Sequence, residues 1–145
     1  MIVNFTFDKI SAEKVGNMAG NININHNFDI KDIQKTQIAF QGSKPALKIL
    51  FSFNVSYEPK IGNIEMNGHI TYYEKEDELK KIEDQWKKEK KLSTGMTTLI
   101  ANTILLKANI KALMLSQEVN LPPQIQLPKI KPSEPKDNKR DEYIG

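Results

Sequence analysis

The chain has 145 residues, 39% of them hydrophobic and 27% charged, with a net charge of +3; this suffices for one domain with its own core and not for two comfortable ones. It has no cysteine, which excludes disulfides, thiolate metal sites and cysteine nucleophiles together. Of its 21 basic residues only Arg140 is arginine, the side chain preferred for bidentate contacts to phosphate and guanine, so nucleic acid is an unfavoured partner.

The first two-thirds of the chain alternates with period two, the mark of half-buried strands. Val3, Phe5 and Phe7 share one face of a first strand. In a second, Ile22, Ile24, Phe28 and Ile30 oppose Asn21, Asn23, Asn25, Asn27 and Asp29, with His26 interrupting the apolar row. The phase slips between Ile30 and Ile33, which predicts a bulge or bend near Lys31-Asp32. The third strand is the clearest: Leu47, Ile49, Phe51, Phe53, Val55 and Tyr57 form an unbroken apolar row. A six-residue connection, Glu58 to Asn63, has the proline, glycine and asparagine of a turn. A fourth strand follows, with Ile64, Met66, Gly68, Ile70 and Tyr72 in phase, antiparallel to the third.

At Glu74 the period changes to that of a helix. Lys75 to Lys91 is highly charged, with one narrow apolar stripe at Leu79, Ile82 and Trp86. Its acidic start and lysine-rich end suit the helix dipole. Leu92-Ser93-Thr94-Gly95 breaks it, and Ser93 or Thr94 is placed to cap a second helix, about Met96 to Gln117. That helix carries Leu99, Ile100, Ile104, Leu105, Ala108, Leu113 and Met114, with Leu106, Ile110 and Leu115 to spare. One sheet needs only about a third of a helix circumference apolar, so the surplus points to a second covering surface or to an exposed binding face. Leu121-Pro122-Pro123 ends the helix, and Gln124 to Pro128 reads as extended. The predicted fold is α+β, a four-stranded antiparallel sheet followed by two helices over residues 1–130. A charged tail at 131–145 is too poor in apolar residues to order itself.

The Met1 end has no basic stretch leading into a long apolar run, so no secretory signal is expected. The uncharged run Leu92–Leu106 is too short and too polar for a bilayer span of roughly 20 apolar residues. A cytoplasmic location with no membrane insertion is the expectation. His26 and His69 are the only histidines and lie on separate strands, without a carboxylate motif that would complete a metal site. No nucleophile elbow, phosphate-binding glycine loop or dinucleotide fingerprint is present. These absences shift the expectation from an enzyme to a binding protein without cofactor or ATP.

The order of four strands and two helices, followed by Leu121-Pro122-Pro123-Gln124-Ile125-Gln126-Leu127-Pro128-Lys129-Ile130, resembles the SecB family, in which a long helix runs into a Pro-x-Leu-x-Leu-x-Pro segment. The amino end, Asn4-Phe5-Thr6-Phe7-Asp8-Lys9-Ile10, is similar to that family's first strand. The resemblance spans most of residues 2–130 and is nearest to the small archaeal SecB-like proteins. It implies a homotetrameric chaperone, a dimer of dimers, that holds unfolded or precursor polypeptides in exposed apolar grooves without a cofactor. Such proteins act in protein export, in general folding or as dedicated chaperones of toxin–antitoxin pairs.

On this reading Phe40, Tyr57, Ile104, Met114, Leu121 and Ile125 are the candidate peptide-binding residues. Phe40 lies between the second and third strands, where a bulky apolar side chain has no evident core partner. Met114 has the adaptable thioether of promiscuous surfaces. A core or subunit interface would use Ile104 and Met114 equally well. The expected activity is ATP-independent holding of non-native chains. A dedicated-partner adaptor of the same fold and lysine-mediated binding of nucleic acid are the alternatives.

Overall fold

The computed structural model describes residues 1–132; all but Lys131 and Pro132 of the expected tail lie outside the described residues. The alternating segments form four strands, β1 (Ile2–Lys14), β2 (Asn23–Ala39), β3 (Ser43–Glu58) and β4 (Gly62–Tyr72). They pair antiparallel in the order β1-β4-β3-β2. Two hairpins join β2 to β3 and β3 to β4, and the segment after β1 crosses the sheet end to reach the far edge, a Greek-key arrangement. The crossing is pinned where Val15 and Gly16 donate N–H bonds to the Ile61 carbonyl at 2.8 and 3.1 Å.

The apolar rows set the register. Phe51 sits between Ile30 and Gly68, and Ile49 between Ile33 and Ile70, so each row continues across the sheet on one dry face. The register shift in β2 falls between Ile30 and Asp32, where the phase of the sequence slips. β1 has two shifts, at Val3 and at Asp8. The first corrects the shared face expected for Val3, Phe5 and Phe7: Val3 is the extra residue at a bulge and is exposed, while Phe5 and Phe7 pack toward Phe51. The β3–β4 turn is also shorter than its composition suggests. It holds only Pro59, Lys60 and Ile61 between the strands, and Ile61 is buried.

Two helices cover the dry face. The first, α1 (Glu76–Glu89), presses Leu79 and Trp86 into the core. Trp86 is tied to β2 by an Nε1–H bond to Asp32 Oδ1 at 3.3 Å, and Glu83 meets Lys35 at 3.8 Å. Lys90, at φ 56°, closes the helix by donating its N–H to the Trp86 carbonyl. The second, α2 (Thr94–Glu118), begins at Ser93, whose hydroxyl accepts the Met96 N–H at 3.3 Å. It ends in a Schellman motif: Asn120 adopts φ 58°, Leu121 N–H donates to the Ser116 carbonyl at 2.8 Å, and Asn120 N–H to that of Gln117 at 3.3 Å. The chain then turns back, and Leu121 seals the sheet end beside Gly62, where an added Cβ would stand 2.9 Å from its methyl groups.

Candidate functional site

The feature that the core leaves unused is the outer face of α2. The helix meets the sheet through one row at four-residue spacing, Met96, Ile100, Ile104, Ala108, Ala112 and Ser116, all buried. Half of that row is small, which lets the helix lie close to the strands without a broad apolar stripe. Four other large residues point elsewhere: Leu99 is 46% exposed, Leu106 65%, Ile110 56% and Met114 56%. Leu99, Thr103, Leu106, Ile110, Leu113 and Gln117 follow one another at alternating steps of four and three. This is the seam of a helix meant to pack against another surface. The Thr103 hydroxyl is turned back onto the helix, where it donates to the Leu99 carbonyl at 2.9 Å.

The seam opens sideways into a groove toward β1. Its cavity of about 490 Å³ is lined by Ile10, Ala12, Lys111, Met114, Leu115 and Val119, among others. Lys107, over the Phe5 ring at 5.4 Å to the centroid, covers the neighbouring stretch of β1. Met114 therefore sits where seam and groove meet. By length and composition alone α2 is long and apolar enough to cross a membrane; in this fold its inner row is sealed against the sheet.

The six sequence candidates divide by burial. Met114 lies on this surface. Ile125 is exposed on the segment that returns from α2, beside Leu127. That segment is held to the helix by Gln124, whose side-chain amide donates to the Asn109 carbonyl at 2.8 Å. Phe40 is exposed at the β2–β3 hairpin tip, where Gln41 and Gly42 take positive φ and the Phe40 N–H donates to the Gly42 carbonyl at 2.8 Å. It lines a different cavity, of about 410 Å³, with Val3, Ile38 and Tyr73. Tyr57, Ile104 and Leu121 are corrections. They are 1%, 0% and 4% exposed, and they build the core and its C-terminal closure instead of any surface. Leu106 and Ile110, the most exposed large residues of the seam, were visible in the sequence as apolar surplus. The missing signal was which side of α2 would face the sheet.

His69 Nδ1 lies 2.8 Å from Asp8 Oδ2, tying β4 to β1 on the wet face. His26 is exposed, with its ring 6.4 Å from that of Phe53. No group of three or more metal-ligating side chains is present among the described residues. Burial raises the Tyr57 hydroxyl to about 12, leaving it a hydrogen-bond donor at any ordinary pH.

Among solved structures, the SecB-like chaperone Rv1957 of Mycobacterium tuberculosis, in complex with a ChAD peptide from the Rv1956 HigA1 antitoxin, is similar to this chain with a TM-score of 0.53. The similarity covers 89% of both chains at 11% identity. What is shared is the SecB-like fold, and the similarity does not single out an archaeal subgroup. No family model and no curated protein sequence matches the chain.

Proposed function

We propose that this protein is an ATP-independent holdase that assembles through the outer face of α2 and captures non-native polypeptide on the apolar surface that assembly leaves open. The observation that carries this reading is the seam itself. Leu99, Leu106, Ile110 and Met114 stand in water on a helix whose core contacts are already complete. Ordinary monomers limit contiguous apolar exposure of this kind, and covering it gains about 25 cal/mol per Å² without any sequence readout. The assembly is a homotetramer, in which a second sheet or helix pair covers most of the seam. The groove beside Ile10 and Met114 stays open for clients. Lys107 and Lys111, close to that face, favour a protein partner over the interior of a bilayer, and nothing in the cycle calls for nucleotide or metal.

The test is aggregation of a chemically denatured reporter protein diluted into buffer, with the mass of the chaperone followed by light scattering. Suppression near one assembly per reporter, without ATP, is the expected result. Unchanged aggregation at several-fold excess would remove the proposal. A second reading has its own support, because the similar mycobacterial chaperone is described with a peptide from one antitoxin. A dedicated-partner chaperone would return a single stoichiometric protein on affinity capture, whereas a general holdase returns a broad set.

A further inference from the structure

The β2–β3 hairpin outruns the rest of the sheet. The last β3–β4 pair is Leu47 with Tyr72, so Ser43 to Ala46 pair only with β2. The corner this leaves is bounded on one side by Met1 and Tyr73, which are clamped together by two main-chain bonds of 2.6 and 2.9 Å. On the other side the hairpin tip leans Phe40 toward Tyr73, with the ring centroids 6.4 Å apart. Between them lies the cavity of about 410 Å³, walled by Val3, Ile38, Phe40 and Tyr73 with Asn4 and Thr71. It opens on the wet face, because Thr71 falls between Ile70 and Tyr72, whose β3 partners Ile49 and Leu47 are core. The sheet therefore stands between this cavity and α2. Among the described residues no carboxylate lines it, and Glu74 beside it is met by the Met1 amine at 3.8 Å. Two lysines adjoin it: the register sets Lys48 opposite Thr71 and Lys44 opposite Ile38. Both are half-buried, and neither has an ion-pair partner among the described residues.

We infer that this corner binds a small anionic amphiphile, a single-chain alkyl carboxylate, with its chain between Val3, Ile38, Phe40 and Tyr73 and its carboxylate toward Lys44 and Lys48. The volume is at the small end of ligand pockets, and mostly apolar walls with a few polar groups are what such pockets show. The charge around the mouth selects an anion: two cations stand there without partners, and the neighbouring carboxylate is already matched. An added peptide strand is disfavoured, because Pro45 removes a donor from the middle of the open Ser43–Ala46 edge. An alkyl chain needs no such donor. Each methylene taken out of water adds to affinity until the space is filled, while the head stays at the rim among the lysines, which keep their ammonium groups in reach of water. This ligand site goes beyond the proposed chaperone function and does not rest on it.

The test is an NMR titration of the full isotope-labelled chain with hexanoate, heptanoate and octanoate, each below its micelle concentration. Affinity is expected to rise about fourfold per added methylene, with saturable shifts confined to Val3, Asn4, Thr71, Tyr73 and the Thr36–Phe40 arm. The combined Lys44→Gln and Lys48→Gln variant is expected to weaken octanoate about three- to tenfold, the range for two partly exposed charge contacts, and to leave octanol unchanged. Phe40→Ala, at an exposed hairpin tip, should weaken both while the far-UV circular dichroism is kept. Equal binding of octyltrimethylammonium, absence of saturation, or shifts centred on Leu106 and Ile110 would each overturn the inference, the last because unselective sticking to the α2 seam gives that pattern. Anionic phospholipid vesicles should leave the corner residues unmoved; broadening of those residues by vesicles would contradict a free carboxylate as the ligand. The Leu106→Glu, Ile110→Glu variant separates the two proposals. Octanoate binding kept while aggregation suppression is lost supports a site independent of the seam, and loss of octanoate binding in that variant refutes it.

Discussion

The Tyr57 hydroxyl donates to the Pro122 carbonyl at 2.7 Å, joining the last inward residue of β3 to the chain just past α2. Both the end of the sheet row and the closure of the C-terminal segment depend on it. Replacing Tyr57 with phenylalanine keeps the ring and removes the bond to a part-buried carbonyl, at a cost of about 0.5–1.5 kcal/mol, measured as a lower midpoint of urea unfolding.

The same tyrosine predicts an alkaline weakness. Burial raises it from 10 to about 12 in the folded chain, so between those values the unfolded chain releases a proton that the native one keeps. Stability is then full below pH 10 and falls as pH rises through the window, by at most about 1.4 kcal/mol per unit. Tyr72, raised by burial and by Glu74 and Glu78, acts in the same direction. Tyr57→Phe is expected to flatten the decline in melting temperature between pH 10 and 12; an unchanged slope would contradict this account of Tyr57.

Much of this fold is legible in the sequence because one choice was open at each step. The β3 row allows one dry face, the slip from Ile30 to Ile33 requires a bulge, and Leu79, Ile82 and Trp86 leave α1 one way to lie. α2 is apolar all round, so periodicity could not choose its buried side. Close approach to the sheet chose it, through Ala108, Ala112 and Ser116, and larger residues were left outside. That is also why Ile104 read as a surface candidate and proved to be core. Tyr57 continued the core row in phase, and only the returning segment that caps it was hidden.

At the acid end Asp32 is the group to watch. The Ile33 N–H first, then Gln34 and Trp86, hold its carboxyl below the ordinary 3.8. A depressed carboxylate contributes stability above its unfolded value and loses it as pH falls through the folded one. The stability gap between the wild type and Asp32→Asn is therefore expected to narrow from pH 5 to pH 2 in thermal melts. A constant gap would mean that the charge on Asp32 does not matter.

Gly68 is required by close packing. A Cβ there would strike the Thr6 carbonyl oxygen of β1 and stand 2.8 Å from Phe51 Cζ. Gly68→Ala is expected to cost about 1–3 kcal/mol as an overpacked site. Its amide exchange should quicken most along β1, and uniform quickening across the sheet would speak against a local clash.

The two faces of α2 make opposite predictions. Ile104→Ala empties a sealed site and is expected to cost about 2–5 kcal/mol. Leu106→Glu with Ile110→Glu touches only the outer face and should change monomer stability by about 0.5 kcal/mol or less per site. The most direct measurement is the aggregation of a denatured reporter in the presence of this double variant, compared with the wild type at equal subunit concentration. The account predicts that protection disappears and the scattering mass drops to that of one chain, while the far-UV circular dichroism of the folded chain is kept and the melting temperature falls only by the loss of assembly. Full protection by the double variant would contradict it.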